Sequence, residues 1–113
     1  DAGKPVRGSR VLILGVTYKP NIADQRESPA KPIATLLARK GAILTFHDPR
    51  VDAWSIGGKA VPRADDLEAA VSEAEAVVLL QAHREYDADD LAARSQLFFD
   101  TRGASTHPAA IRL

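Results

Sequence analysis

The sequence contains no cysteine, which removes disulfide staples, a thiolate zinc site and a cysteine nucleophile together. The chain is therefore expected to carry no redox chemistry of its own. Net charge is missing as well. The 15 basic and 15 acidic side chains cancel, so no global field draws the molecule to nucleic acid or anionic lipid, and any anion site must be local. There is no apolar run fit to span a bilayer and no charged, apolar and small-residue leader, which reads as a soluble, cytoplasmic protein without a membrane partner. A length of 113 residues suits one domain with one core. Residues 1–9, DAGKPVRGS, are polar, rich in Gly and Pro, and do not begin with methionine. They read as a linker from a preceding region, with residues 10–113 as the domain that follows.

What is present is an alternation of strand-like and helix-like segments. Residues 11–14, VLIL, are a continuous apolar run closed by Gly15, as expected of a strand covered on both faces in a parallel sheet. Ser28 predicts a helix cap with Pro29 at the first helical position, and Ile33, Leu36 and Leu37 share one face until Gly41. Pro32 is expected to weaken the first turn. Residues 42–46, AILTF, predict a second strand that runs into HDP, and residues 59–61, KAV, a short third. Residues 63–74 have helical spacing with early acids that suit the helix dipole. Residues 77–81, VVLLQ, repeat the buried-strand pattern, 87–95 predict a short helix, and 97–100, LFFD, the last strand. Strand and helix in turn imply a doubly wound parallel α/β sheet.

In such sheets ligands sit beyond the carboxyl ends of the strands, so the residues just after each apolar run carry the interest. A dinucleotide fingerprint starting at Gly15 needs two further glycines, and this chain has Thr17 and Pro20 there, which removes most of the case for NAD at this turn. Lys19 and Arg102 both leave strand ends, and an ammonium beside a planar guanidinium suits a diphosphate or a polar sugar. Each also has a plainer reading: Lys19 as a solvated loop lysine, Arg102 as the partner of an acid such as Asp100. Asp24, Arg26 and Glu27 precede the helix and read as charge pairing across the loop and support for the helix start. The loop over residues 18–27 exceeds the usual 2 to 6 residues and is expected to fold over the ligand, pinned by Arg26 on an acid such as Asp24. His47, His83 and His107 have neither close metal-ligand spacing nor a cysteine companion, so no metal site is expected. Asp48 lies further than the roughly 20 residues from Gly15 at which a ribose-gripping acid falls, and a DP turn explains it more simply. Trp54 reads as a packing residue under a loop, or as an interface anchor if exposed.

Three stretches, LGVTYKPNIADQRESPA, LLARKGAILTFHDPRV and FFDTRGA, closely resemble the UDP-sugar-binding C-terminal domain of the UDP-glucose/GDP-mannose dehydrogenases. The resemblance covers residues 8–104 and keeps the order and spacing of all three. It implies a Rossmann-like, three-layer domain of a parent enzyme that oxidises the C6 alcohol of a nucleotide sugar to a carboxylate in two NAD-dependent steps, in polysaccharide biosynthesis. NAD and the catalytic cysteine and lysine would belong to an N-terminal domain, and the parent would be a homodimer or higher oligomer. This chain alone would then hold no catalytic residue and be inactive. By resemblance, Tyr18 and Lys19 contact the UDP-sugar, Arg102 reaches the bound sugar and diphosphate, and Arg26, Glu27 and Ser28 lie in the signature loop. Ala23 stands where an acid is common and Gly103 where Asn is frequent, which bears on loop geometry. The FHDP and YK stretches look more like the branch acting on UDP-N-acetyl-hexosamines. The other reading from the residues is a noncatalytic Rossmann-like binding or interaction domain sharing the scaffold.

Overall fold

A computed structural model of the chain describes residues 7–17 and 28–112. Along the chain run β1 (Arg10–Leu14), α1 (Ala30–Arg39), β2 (Ile43–His47), β3 (Ser55–Ile56), β4 (Lys59–Ala60), α2 (Leu67–Glu73), β5 (Ala76–Leu79), α3 (Ala88–Arg94), β6 (Phe98–Asp100) and β7 (Ala110–Arg112). Five of the strands form one parallel sheet in the order β2-β1-β5-β6-β7.

The two periods in the sequence explain the layers. Successive strand side chains point to opposite faces. Val11 and Ile13 of β1 therefore pack with Ala30 and Ala34 of α1, Phe46 and Trp54, while Leu12 and Leu14 pack with Val71, Ala74, Leu91 and Ala92 around α2 and α3. Both faces are covered, which is why β1 reads as an unbroken apolar run. The fold is thus a three-layer, doubly wound α/β sheet, as expected. Trp54 is 4% exposed and meets Phe46 edge-on at 5.6 Å, so it is a packing residue and not an interface anchor.

Several local expectations need correcting. Pro29 sits just before α1, and Ser28 Oγ accepts the Ala30 N–H at 3.1 Å. Pro32 is the third helical residue, where the N–H has no partner within the helix anyway, so its ring costs the first turn no hydrogen bond. Residues 59–61 are not a strand of the main sheet; β4 pairs antiparallel with β3 in a separate hairpin. The second helix starts at Leu67 rather than Arg63, because the Asp66 side chain caps it by accepting the Ala69 N–H, and Arg63 instead forms a parallel bridge to Phe46. β6 is not the last strand, since β7 extends the sheet beside it. Three residues preceded by STHP carry too little β-pattern to be read.

Candidate functional site

The chain leaves β1 for β2 on one side and β5 lies on the other, so the winding reverses between β1 and β5, and the crevice of a doubly wound sheet opens at that point. Gly15 occupies it. Its φ is +83°, and a Cβ there would lie 2.6 Å from Gln81 Cβ and 2.8 Å from the Gln81 backbone N and O. Gly15 is therefore a close-packing glycine between β1 and β5.

The loops after β2 and β5 reach past this glycine and bond to each other. Asp48 is fully buried. Its Oδ1 accepts the Arg50 N–H at 2.8 Å, the turn expected of DP. Its Oδ2 accepts the Val16 N–H at 2.8 Å and lies 3.0 Å from His83 Nε2, which makes it far more than a turn residue. Thr17 Oγ1 is 3.2 Å from the same Nε2. Thr, His and Asp are the residue types of a nucleophile triad, but a relay needs the two ring nitrogens to serve the two partners separately. Here one nitrogen serves both, so the cluster is a clamp on the end of β1.

A second tie lies beside it. The Tyr86 hydroxyl donates to the His47 carbonyl at 2.8 Å, which leaves its oxygen to accept from His47 Nδ1 at 2.8 Å and assigns the imidazole proton to Nδ1. Burial, with the Arg63 charge nearby, lowers the His47 pKa, so the ring is neutral at neutral pH. Burial, with the Asp48 charge nearby, pushes the Tyr86 phenol up. A third tie, Arg50 Nη2 to Glu85 Oε2 at 2.9 Å, closes the outer rim.

The loop after β6 is built around a carboxylate. Asp100 is fully buried and accepts the Arg102 N–H at 3.0 Å through Oδ1 and the Ser105 N–H at 2.7 Å through Oδ2. Burial pushes its pKa up, but backbone N–H groups of Ser105, Ala104, Arg102 and Gly103 outweigh that and hold it below the usual carboxylate value. Asp100 thus binds the loop backbone, and no ion pair joins it to the Arg102 guanidinium, contrary to the plainer expectation. Arg102 is exposed and, among the described residues, makes no salt bridge. Gly103 has φ +65° with nothing within 4 Å of a would-be Cβ, a left-handed position that suits Gly or Asn.

The lowered Asp100 pKa sets a pH dependence. A carboxylate whose pKa is lower folded than unfolded adds stability above its unfolded value of about 3.9, and that contribution fades as pH falls through the folded value. Asp100→Asn should therefore be destabilised at neutral pH, with the gap to wild type narrowing below about pH 4. Urea denaturation across the acid range measures it; a gap constant with pH would contradict it.

Of the residues singled out in the sequence, Tyr18, Lys19, Asp24, Arg26 and Glu27 lie outside the described residues, and with them the expected Arg26–Asp24 pair and the expected placing of Lys19 beside Arg102. The cross-links Asp48–His83, His47–Tyr86 and Arg50–Glu85 were not foreseen, since each joins distant segments. A Cβ on Gly15 would meet Gln81, and the sequence has Thr17 and Pro20 where further fingerprint glycines would stand. A hollow of about 410 Å³ lies elsewhere, between α1, β2 and the hairpin, lined by Thr35, Arg39, Leu44, Ile56, Lys59 and Pro62 among others. Among the described residues no helix is long and apolar enough to cross a membrane.

An all-parallel three-layer sheet with its loops tied together at the switch point defines a doubly wound α/β ligand-binding domain. Residues 12–107 match the UDP binding domain of the UDP-glucose/GDP-mannose dehydrogenase family, and the chain belongs to that family. It is 36% identical over 92 residues to the UDP-glucose 6-dehydrogenase of Rhizobium meliloti (strain 1021), covering 79% of this chain and 21% of that protein. It is 27% identical over 106 residues to the UDP-N-acetyl-D-mannosamine dehydrogenase of Methanococcus maripaludis (strain C7 / ATCC BAA-1331), covering 87% of this chain and 23% of that one. The crystal structure of NDP-N-acetyl-D-galactosaminuronic acid dehydrogenase from Methanosarcina mazei Go1 superposes with a TM-score of 0.78 at 28% identity, over 99% of this chain and 25% of that chain. The chain thus spans between a fifth and a quarter of the length of these relatives.

Proposed function

We propose that this chain is the substrate-holding part of an NAD-dependent nucleotide-sugar 6-dehydrogenase, and that it binds the UDP portion of a UDP-sugar at the carboxyl edge of the sheet. The observation that carries this reading is Arg102, an exposed guanidinium held at that edge by a loop whose buried acid is committed to backbone N–H groups. A planar cation in that state matches the paired oxygens of a diphosphate. Tyr18 and Lys19 complete the contact in this reading, and Asp24, Arg26 and Glu27 support their loop. Residues 1–9 join the domain to the rest of the parent, which carries NAD and the reacting groups. The chain alone is then inactive. Binding energy gathered on the remote nucleotide serves to place the sugar C6 alcohol beside a cofactor held by another domain. The parent works in the cytoplasm as a homodimer or higher oligomer, with a UDP-N-acetyl-hexosamine as the substrate class, a choice supported by FHDP and by N-acetyl-hexosamine enzymes among the relatives.

Calorimetric or NMR titration of the chain with UDP tests the reading. Charge-assisted contacts are worth roughly 1.5 to 3 kcal/mol each, so Arg102→Ala should weaken UDP binding about tenfold or more. Rising salt should erode the difference. Equal affinity in the two proteins would leave Arg102 a structural residue and remove the proposed site.

A further inference from the structure

The loop that carries Arg102 is held by two acids from two directions. Asp100, at the end of β6, grips it from beneath through the Arg102 and Ser105 N–H groups. Asp89, in the first turn of α3, grips it from the side. Its Oδ1 accepts the Ser105 hydroxyl at 2.7 Å, the Thr106 N–H at 2.8 Å and the His107 N–H at 3.1 Å, and its Oδ2 lies 3.4 Å from Thr106 Oγ1. Ser105 is the shared element: its N–H goes to one carboxylate and its hydroxyl to the other.

The position of Asp89 needs a reason. Asp87 already caps α3 by accepting the Asp90 N–H, and Asp90 is paired with Arg94 at 2.9 Å. Asp89 contributes to neither arrangement and turns instead onto residues 105–107. Its hydrogen bonds hold its pKa below the usual carboxylate value, the Ser105 hydroxyl first among them. Among the described residues each contact it makes is with a backbone N–H or a hydroxyl, and none is with a cation. The two carboxylates therefore fix the loop while leaving the guanidinium's charge for a ligand.

We infer that Asp89 is a positioning residue for nucleotide binding, acting through the 101–107 loop to set where the Arg102 guanidinium stands. This rests on Arg102 being a UDP contact. A misplacement of about 1 Å in a positioned group is enough to cost much of its effect, and Asp89 makes no contact with Arg102 itself, so its influence must pass through Ser105 and the turn.

The test is a double-mutant cycle read by UDP titration of the whole chain, with wild type, Asp89→Ala, Arg102→Ala and the double variant. Asp89 lies at the surface, so its removal should leave the fold intact, and circular dichroism of each variant verifies that. Expected is a fall in UDP affinity of about three- to tenfold for Asp89→Ala, with little further loss when the change is made in the Arg102→Ala background, since contacting residues and shared networks do not add. Asp89→Asn, which can still accept hydrogen bonds from the loop, should recover part of the loss. If Arg102→Ala weakens UDP binding and Asp89→Ala does not, or if the two effects add in full, the positioning role is overturned while the binding site stands. If neither change matters, the proposed site fails first.

Discussion

Gly15→Ala should lower the stability of the chain by about 2 to 5 kcal/mol, from a left-handed backbone penalty of about 1 to 2 and an overpacking cost of about 1 to 3. The second term arises because the new Cβ would meet Gln81 Cβ at 2.6 Å and its backbone atoms at 2.8 Å, just past strand ends tied by Gly15 N to the His47 carbonyl at 3.0 Å and Leu80 N to the Leu14 carbonyl at 2.9 Å. Against a typical domain stability of 5 to 15 kcal/mol, that is a large share, and the melting temperature should fall by roughly 10 °C or more. Gly58→Ala is the control. Its φ is +78° but nothing lies within 4 Å of its would-be Cβ, so only the backbone penalty applies. Thermal melts of both variants decide the matter; equal losses would mean that the approach of β1 to β5 is slack.

Asp48→Ala is the second large effect. The substitution takes the acceptor from the Val16 and Arg50 N–H groups and one of two partners from His83 Nε2, around a fully buried carboxylate. Each buried donor left without a partner costs about 1 to 3 kcal/mol. With two backbone donors stripped, the expected loss is about 2 to 6 kcal/mol in urea or thermal denaturation. Asp48→Asn, which keeps one acceptor oxygen, should cost less. A loss below about 1 kcal/mol for the alanine variant, the ordinary value of one hydrogen bond, would show that the clamp at the end of β1 contributes nothing beyond a surface turn.

The elements that burial dictates were legible in the sequence and the site's supports were not. VLIL and VVLL announce β1 and β5 because a strand covered on both faces has to be apolar throughout. β7 escaped because an edge strand of three residues carries no such signature. Asp48 was half legible. Its Oδ1 makes the local turn that DP suggests, but Oδ2 bonds Val16, 32 positions away, and no local pattern encodes a partner at that distance. Asp100 was foreseen as a partner for Arg102 in charge, whereas it binds the loop in backbone. The GAS that follows Arg102 was the signal available: small residues that let several N–H groups turn inward onto one carboxylate. Asp89 was hidden among three acids that all suit a helix start, and only the position of residues 105–107 separates its task from theirs.

The ties between the loops after β2 and β5 also bear on how the molecule is made. His47–Tyr86 joins residues 39 positions apart, and Asp48–His83 and Arg50–Glu85 join residues 35 apart. The segment between contains the β3–β4 hairpin and α2, so the entropy of closing that long loop has to be met before any of the three can form. The carboxyl edge is therefore built from segments that lie far apart in the chain, and its ties close only once β2 and β5 have both docked on β1.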